Sequence, residues 1–229
     1  MKNTTQIFHT VSYLQYLFMG DWNFCANDDL HPNERFFPDP DLLPVKGNKP
    51  VQMAASGPDS DTPTILFSLL QAINLAENEI LITTPYFIPG ESIMDALVVS
   101  ALGGVAVKLL VPGISDSKLV NSAARSYYDD LLAAGVEIYL YRKGFIHAKT
   151  LVADRKVAIV GTANMDYRSF DLNFEVNALV YDEVTAAELA DVFFEDLKNA
   201  EKIDIVKWNN RPWHKQLAEK MARLVSPIL

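Results

Sequence analysis

Apolar residues recur along the chain in two alternating patterns, one typical of strands and one typical of helices. From Val51 onwards, short apolar runs of strand length alternate with longer segments whose apolar residues are three and four positions apart. The predicted order is strand 51–56, helix 63–76, strand 79–84, helix 91–102, strand 105–111, helix 117–134 and strand 136–141. Strands separated by helices of this length indicate a largely parallel sheet that helices cover on both faces.

The pattern changes after residue 141, because strands then follow one another without helices between them. We predict strand 149–153, a tight connection at Asp154–Arg155, strand 157–160, strand 174–181, helix 185–199 and a final helix 212–224. The expected fold class is therefore α/β, with a mixed, largely parallel sheet flanked by helices on both faces.

Two segments precede this domain. Residues 5–20 repeat apolar side chains at helical spacing, so we expect residues 1–26 to hold a helix that remains from a preceding domain. Residues 27–50 contain five prolines among acidic residues, which is typical of an extended linker. The domain that carries the chemistry is expected at residues 51–229.

Composition excludes several classes of protein. Hydrophobic residues make up 49% of the chain and charged residues 21%, so the chain folds rather than remaining disordered. Cys25 is the only cysteine, which excludes an intrachain disulfide and a thiolate-based zinc or iron–sulfur site. No stretch approaches the roughly 18 to 20 apolar residues of a membrane span, and we predict no signal peptide.

The formal charge of −9 argues against general binding to nucleic acid. The charge is uneven, because residues 207–229 contain five cations and one carboxylate, a local +4 that leaves −13 for residues 1–206. The final helix also carries an apolar stripe at helical spacing, formed by Trp213, Leu217, Met221 and Leu224. Such a stripe suits either a buried core position or an interfacial helix on anionic lipid.

The candidate chemistry lies in one segment, where six residues are found at specific spacing: His147, Lys149, Asp154, Gly161, Thr162 and Asn164. A chance match to all six is on the order of 10⁻⁵ per chain. On a strand, His147 and Lys149 project to the same face, and Thr162 and Asn164 repeat that spacing nearby. An imidazole that attacks phosphorus, with an ammonium, a hydroxyl and a carboxamide that hold the oxygens, forms a site for a phosphoryl group. No metal and no cofactor are expected.

Two members of this segment have simpler explanations. Asp154 lies at a two-residue connection, where aspartate is a common turn former, so a role in orienting the loop or pairing with a cation is favoured over chemistry. Gly161 permits close approach of the backbone.

The pattern resembles the HKD motif of the phospholipase D superfamily. A wider resemblance to the second catalytic half of bacterial cardiolipin synthases runs from roughly Phe18 to the C-terminus, and is carried by residues 55–59, 84–89, 116–120, 133–136, 161–177 and 224–229. It implies that His147 is one of two catalytic histidines and that Glu175 hydrogen-bonds it and fixes its tautomer. The candidate catalytic residues are His147, Lys149, Asp154 and Glu175, and the candidate phosphate-binding residues are Lys149, Thr162 and Asn164.

Two loops at the presumed carboxyl edge of the sheet provide candidate contacts with substrate or membrane. Tyr86 and Phe87 follow one strand, and Asp116 and Lys118 follow the next. Plain loop packing explains the two aromatic residues equally well, and helix capping is the simpler explanation of Asp116.

The resemblance implies a phosphatidyltransferase that makes cardiolipin from two phosphatidylglycerols through a phosphohistidine. The family requires two HKD motifs per site, but His9, His31 and His214 lack a lysine two residues on, so this chain has one. It also lacks the membrane helices usual in such synthases, which indicates a fragment, a split gene product or a half that pairs with another chain.

We therefore expect three kinds of partner: anionic phospholipid, chiefly phosphatidylglycerol; a second HKD-bearing half or a second copy of the chain; and a bacterial cell membrane, contacted peripherally or from the cytoplasmic side. No nucleic acid is expected, and the isolated monomer is predicted to be inactive. A homodimeric hydrolase of the same superfamily (a phosphodiesterase or nuclease) and a non-catalytic lipid-binding half remain alternatives.

Overall fold

The strands that follow residue 50 join one mixed sheet. The computed structural model describes residues 4–37, 47–115 and 117–226. Within these residues the sheet has eight strands: β1 (Val51–Ser56), β2 (Glu79–Thr83), β4 (Ala106–Pro112), β5 (Glu137–Tyr141), β6 (Thr150–Ala153), β7 (Val157–Gly161), β9 (Glu175–Val180) and β10 (Ala200–Lys202). Two short strands, β3 (Phe87–Ile88) and β8 (Met165–Asp166), pair with each other in parallel.

Helices connect and cover these strands. They are α1 (Thr4–Ala26), α2 (Thr64–Leu75), α3 (Gly90–Leu102), α4 (Lys118–Arg125), α5 (Tyr128–Ala133), α6 (Tyr167–Asp171), α7 (Glu183–Leu197), α8 (Ile205–Asn209) and α9 (Trp213–Leu224). None of the helices in the described residues combines the length and the apolarity needed to cross a membrane.

The strand order is β1-β9-β7-β6-β2-β4-β5-β10. Neighbours β2, β4 and β5 are parallel, and the other neighbouring pairs are antiparallel. Five of the eight strands, β1, β2, β4, β5 and β7, consequently run in the same direction. The predicted mixed α/β sheet is confirmed, and its parallel neighbours are confined to the part that α3, α4 and α5 connect.

Apolar residues lie on both faces of the sheet. In β2, Ile80 and Ile82 point into the cluster beneath α2, α3 and α5, whereas Leu81 points into a second cluster beneath α7. The alternation follows from the two-residue period of a strand, and an apolar residue at every position is typical of a strand that is covered on both faces.

Several elements differ from the sequence-based expectation. The predicted helix 117–134 is divided into α4 and α5, because the N–H groups of Ser126 and Tyr127 bond three rather than four residues back. Helix α1 extends beyond residue 20 to Ala26 and lies beside the domain, where Phe24 packs edge-on against Phe174 at 5.4 Å. Residues 38–46 of the predicted linker lie outside the described residues.

Candidate active site

The direction of the strands brings the predicted site residues to one edge of the sheet. β6 and β9 run antiparallel to β7, and β6 runs antiparallel to β2. The start of β6 and the start of β9 therefore lie beside the ends of β2 and β7. His147 and Lys149 precede β6, Thr162 and Asn164 follow β7, and Glu175 begins β9.

His147 and Lys149 lie in the loop before β6, which begins at Thr150, and not on a strand as predicted. The Lys149 Nζ atom is 3.3 Å from Nδ1 and 3.2 Å from Nε2 of His147, and it donates a hydrogen bond to the His147 carbonyl at 2.9 Å. An in-plane approach at these equal distances would clash with a ring carbon, so the ammonium lies over the ring face. The lone pair of the exposed imidazole therefore remains directed away from Lys149.

Two aromatic side chains flank the imidazole. The Phe145 ring is 5.7 Å from His147 and inclined by 31°, and the Tyr86 ring is 6.5 Å away and nearly perpendicular. Thr84 holds the Tyr86 loop, because its hydroxyl donates to the Tyr86 carbonyl at 2.8 Å and accepts from the Met165 N–H at 3.2 Å. The predicted contact residue Tyr86 thus lies beside His147, and Phe145 is a neighbour that the sequence analysis did not identify.

The Lys149 ammonium is suited to an anionic ligand. Burial lowers the pKa of Lys149, and the charges of Glu175 and Asp166 partly oppose this effect. Within the residues that the structure describes, no carboxylate forms an ion pair with Lys149. A partly desolvated ammonium without an ion-pair partner gains most from a phosphoryl oxygen, which accepts a charge-assisted hydrogen bond from it.

Asn164 has unused hydrogen-bonding capacity at the same edge. Its backbone N–H donates to the buried Ser169 hydroxyl at 3.1 Å, which fixes the loop after β7. Its side-chain Oδ1 is buried and has no hydrogen-bond partner among the described residues. Asn164 also lines a cavity of about 290 Å³, together with Tyr86, Ser117 and Arg168. A buried amide oxygen without a partner normally takes one from a ligand or an ordered water.

Arg168 is a cation that lines this cavity, which the Asp166 carboxylate also lines. It lies on α6, and its guanidinium forms no ion pair within the described part of the chain. In the sequence, Arg168 belongs to the segment 161–177 that carries the family resemblance. The local sequence contains no signal for its role, because the turn of α6 against β8 is what directs it to the cavity.

The Thr162 hydroxyl is engaged by the backbone. It accepts from the Val176 N–H at 2.9 Å and donates to the Val176 carbonyl at 3.4 Å, so it joins the end of β7 to the start of β9. Gly161, one residue earlier, faces Asn177 so closely that a Cβ atom would lie 1.9 Å from the amide Oδ1. Both residues hold the loop that presents Asn164.

Glu175 lies at the start of β9, at the same edge of the sheet as His147. Among the hydrogen bonds of the part of the chain that the structure describes, none joins Glu175 to His147. Its carboxylate accepts from the Asn173 amide at 3.2 Å, and its charge raises the pKa of Lys149. The predicted orientation of His147 by Glu175 remains a prediction.

Asp154 lies at the opposite edge of the sheet, so its inclusion among the catalytic residues requires correction. It is separated from the site by the length of β6, about 13 Å for four residues. Its carboxylate accepts the N–H groups of Glu77, Asn78 and Glu79 at 2.8, 2.7 and 2.9 Å. The geometry supports the loop-orienting role favoured from the sequence.

Three further candidate contacts have different outcomes. The prediction that Phe87 contacts substrate or membrane is wrong, because its side chain is only 1% exposed and packs on Tyr128 in the core. Lys118 is exposed at the start of α4, next to the cavity-lining Ser117. Asp116 lies outside the described residues.

A comparison with protein families identifies the chain. A family model described as "Cardiolipin synthase, PLD-like domain" matches residues 69–197, which is more than half of the 229 residues. The match includes each residue of the candidate site described above. The chain belongs to this cardiolipin synthase family.

Curated cardiolipin synthases align with almost the whole chain. It is 42% identical over 219 residues to the cardiolipin synthase of Geobacillus thermodenitrificans and 43% identical over 221 residues to the major cardiolipin synthase ClsA of Bacillus subtilis. Both alignments cover 96% of this chain but 43% and 45% of the relatives. The chain thus spans less than half the length of these relatives.

Solved structures show the same fold at low sequence identity. Phosphatidylserine synthase of Haemophilus influenzae matches with a TM-score of 0.61 and 16% identity, covering 78% of this chain and 47% of that one. Nuc of Salmonella typhimurium, a phospholipase D family member, matches with a TM-score of 0.58 and 20% identity, and the match covers 68% of this chain and 98% of Nuc. These likenesses confirm the phospholipase D fold predicted for this cardiolipin synthase family member.

Proposed function

We propose that this chain supplies one half of the active site of a phosphatidyltransferase that makes cardiolipin from two phosphatidylglycerols. The observation that carries the proposal is the Lys149 ammonium over the His147 ring, 3.2 to 3.3 Å from its nitrogens, at the same edge of the sheet as Asn164. Membership of the cardiolipin synthase family supports the choice of substrate and product.

The reaction then has two displacements at phosphorus. One of two histidines attacks the phosphorus of the first phosphatidylglycerol, a P–N bond forms, and the P–O bond to glycerol breaks while the second histidine protonates the leaving alkoxide. The second histidine next takes the proton from a hydroxyl of the second phosphatidylglycerol. That oxygen attacks phosphorus, the P–N bond breaks, and cardiolipin and the free imidazole are released.

The residues of this chain have separate roles in these steps. His147 is one of the two imidazoles. The Lys149 ammonium and the Asn164 side-chain Nδ2, which are both donors, hold the phosphoryl oxygens and stabilise the negative charge that develops in the transition state. The unpartnered Asn164 Oδ1 is an acceptor and suits a donor such as a lipid hydroxyl. Glu175 acts as a positioning residue through its charge on Lys149 and its place beside the loop of His147, while Thr162 holds the backbone between β7 and β9.

The second imidazole must come from elsewhere, either from a preceding half or from a second copy. The length of the relatives favours a preceding half, since the chain spans less than half of them. General acid catalysis at the leaving alkoxide is worth about 10² to 10⁴ in rate, so we propose that the isolated monomer does not turn over lipid. The substrates place the working enzyme at the bacterial cell membrane.

The test is cardiolipin formation from phosphatidylglycerol vesicles, measured together with the molecular mass by light scattering. We expect no turnover by the monomer and turnover after mixing with a chain that carries the first HKD half. His147→Ala should lower the rate of cardiolipin formation by this mixture by several orders of magnitude, while EDTA should have little effect on that rate.

Each other outcome points to a different function. Efficient turnover by a species of monomer mass contradicts the half-site. Release of phosphatidic acid without cardiolipin indicates the hydrolase. Head-group binding without turnover in any mixture indicates the non-catalytic lipid-binding half.

A further inference from the structure

Helix α9 packs on the domain with its polar side and exposes its apolar side. Glu219 and Ala222 are buried, at 5% and 6% exposure. The apolar stripe faces solvent, with exposures of 74% for Trp213, 51% for Leu217, 58% for Met221 and 75% for Leu224. At 3.6 residues per turn, the centre of this stripe lies about 175° around the helix from the midpoint of the two buried residues. A helix of a water-soluble domain normally has the reverse orientation.

Ion pairs fix this rotation of the helix. The Glu219 carboxylate accepts from Arg125 at 2.8 Å and from Arg211 at 3.0 and 2.9 Å. The two guanidinium groups also lie on the Trp208 ring, 4.5 and 4.0 Å from its centroid. Turning the apolar stripe inwards would expel Glu219, leave Arg125 without its carboxylate and leave Arg211 with Asp129 alone, which is unfavourable for a largely buried network.

The charge around the stripe favours an anionic surface. Lys207, Lys215 and Lys220 are exposed and form no ion pair with any residue that the structure describes. Residues 207–229 carry a formal +4, whereas the rest of the chain carries −13. At 100° per residue, Lys220 lies about 55° from the centre of the stripe, whereas Lys215 lies about 165° away, on the side of the buried residues. An outward apolar face that begins with tryptophan and has a lysine at its border is the pattern of a helix that lies in the plane of a membrane interface.

Helix α4 connects this face to the candidate site. Ser117 and Val120, at its start, line the cavity beside Asn164, and Arg125, at its end, contacts Glu219. Beyond α4, the Tyr127 and Ser226 hydroxyls are hydrogen-bonded at 2.9 Å. A surface bound by α9 is therefore joined to the cavity by a single short helix.

We propose that α9 is a docking surface for anionic lipid bilayers, with the apolar stripe inserted and Lys220 at the head groups. This goes beyond the proposed function, because it requires no chemistry at His147 and would hold equally for a hydrolase or a non-catalytic half. The probe is flotation of the full chain with vesicles of phosphatidylcholine alone or of equal parts phosphatidylserine and phosphatidylcholine. Phosphatidylserine is anionic but is not the proposed substrate, so failure of the two proposals can be distinguished.

We expect binding to the mixed vesicles and much weaker binding to phosphatidylcholine alone. The double variant Trp213→Ser/Leu217→Ser should weaken binding at least about tenfold. The variant Lys220→Gln should weaken it by about fivefold, and this loss should shrink at high salt. Lys215→Gln, on the side of α9 away from the stripe, should have a smaller effect.

The matched control is Val184→Ser/Val192→Ser on α7, where the side chains are 59% and 56% exposed. It should leave binding unchanged, and unaltered thermal unfolding of each variant establishes that the domain is folded. Equal binding to both vesicle types, or equal loss in the control, overturns the proposal. Two further results would also overturn the proposal. One is a dimer of the wild-type chain that the variant Trp213→Ser/Leu217→Ser dissociates, and the other is loss of vesicle binding when the first HKD half is added. Either result would show that the apolar stripe contacts protein rather than lipid.

Discussion

The role of Asp154 can be tested by three substitutions that separate its hydrogen bonds from its backbone conformation. Its carboxylate holds three backbone N–H groups, and its φ angle is +52°, in the left-handed region. Asp154→Gly removes the carboxylate, and glycine adopts the left-handed conformation without an energetic penalty. Asp154→Ala removes the carboxylate and also introduces a Cβ atom that is unfavourable in this conformation. Asp154→Asn keeps one acceptor oxygen and tolerates the left-handed conformation.

The hydrogen bonds set the expected loss of stability. A hydrogen bond to a charged group contributes about 1.5 kcal/mol or more, but water can reach these exposed and half-buried donors, so we expect about 2 kcal/mol for Asp154→Gly. Asp154→Ala should lose about 1 kcal/mol more, because a left-handed residue with a Cβ atom costs that much. Asp154→Asn should lose about half as much as Asp154→Gly. Urea unfolding followed by circular dichroism measures all three.

The same group gives a pH dependence. Burial alone would raise the pKa of Asp154, but its three backbone donors outweigh it and lower the pKa. A carboxyl group whose pKa is lower in the folded state stabilises the fold above its unfolded pKa, and this stabilisation disappears as the pH falls through the folded value. The difference in stability between wild type and Asp154→Gly should therefore shrink below about pH 4.

Activity decides between a structural and a catalytic Asp154. Because Asp154 lies across the sheet from His147, each folded variant should retain the turnover number of the enzyme reconstituted with the first HKD half. A large loss of turnover in Asp154→Gly without loss of stability would refute the structural assignment and return Asp154 to the catalytic residues.

Three further predictions concern the site and its supports. Lys149→Ala and Asn164→Ala should each lose about 3 kcal/mol of transition-state stabilisation, measured as kcat/KM of the reconstituted enzyme, with unchanged unfolding; an unfolded variant would indicate a structural role instead. Arg168→Ala should raise KM for phosphatidylglycerol about tenfold, with Arg168→Lys recovering part of the loss, since a cation at the cavity binds lipid phosphate; an unchanged KM would contradict this. Gly161→Ala should destabilise the fold by about 2 kcal/mol in urea unfolding, because its Cβ would overlap the Asn177 amide; a neutral substitution would be inconsistent with the packing.

The sequence predicted the larger elements because their apolar periodicity reflects their final burial. Strands β2, β4 and β5 lie within one or two residues of their expected positions, and α2 and α3 occupy the predicted helices. The elements that escaped prediction, β3, β8, α6, β10 and α8, are two to five residues long. Such short segments carry no period of their own, and pairing with distant residues decides their structure.

The sequence predicted those site residues whose chemical type and spacing form a motif, and it did not predict those whose position depends on tertiary packing. The spacing of His147, Lys149 and Asn164 located the edge of the sheet. Phe87 was misassigned because a proline-flanked loop gave no sign that β3 pairs with β8 and buries the ring. The position of Phe145 beside His147 and the turn that brings Arg168 to the cavity depend on tertiary contacts that no local pattern encodes.

The uneven charge of the chain bears on how an acidic protein could dock on an anionic bilayer, as we propose for α9. A total of −9 opposes approach to an anionic surface if every charge acts at the same distance. Screening limits the interaction to about 8 Å at physiological ionic strength, so only the groups close to the bilayer count. With the apolar stripe of α9 inserted, Lys220 at its border is the lysine of α9 that lies within that range. The exposed stripe then adds the apolar contact that holds the molecule in this orientation, with α4 leading from the bound surface to the cavity beside Asn164.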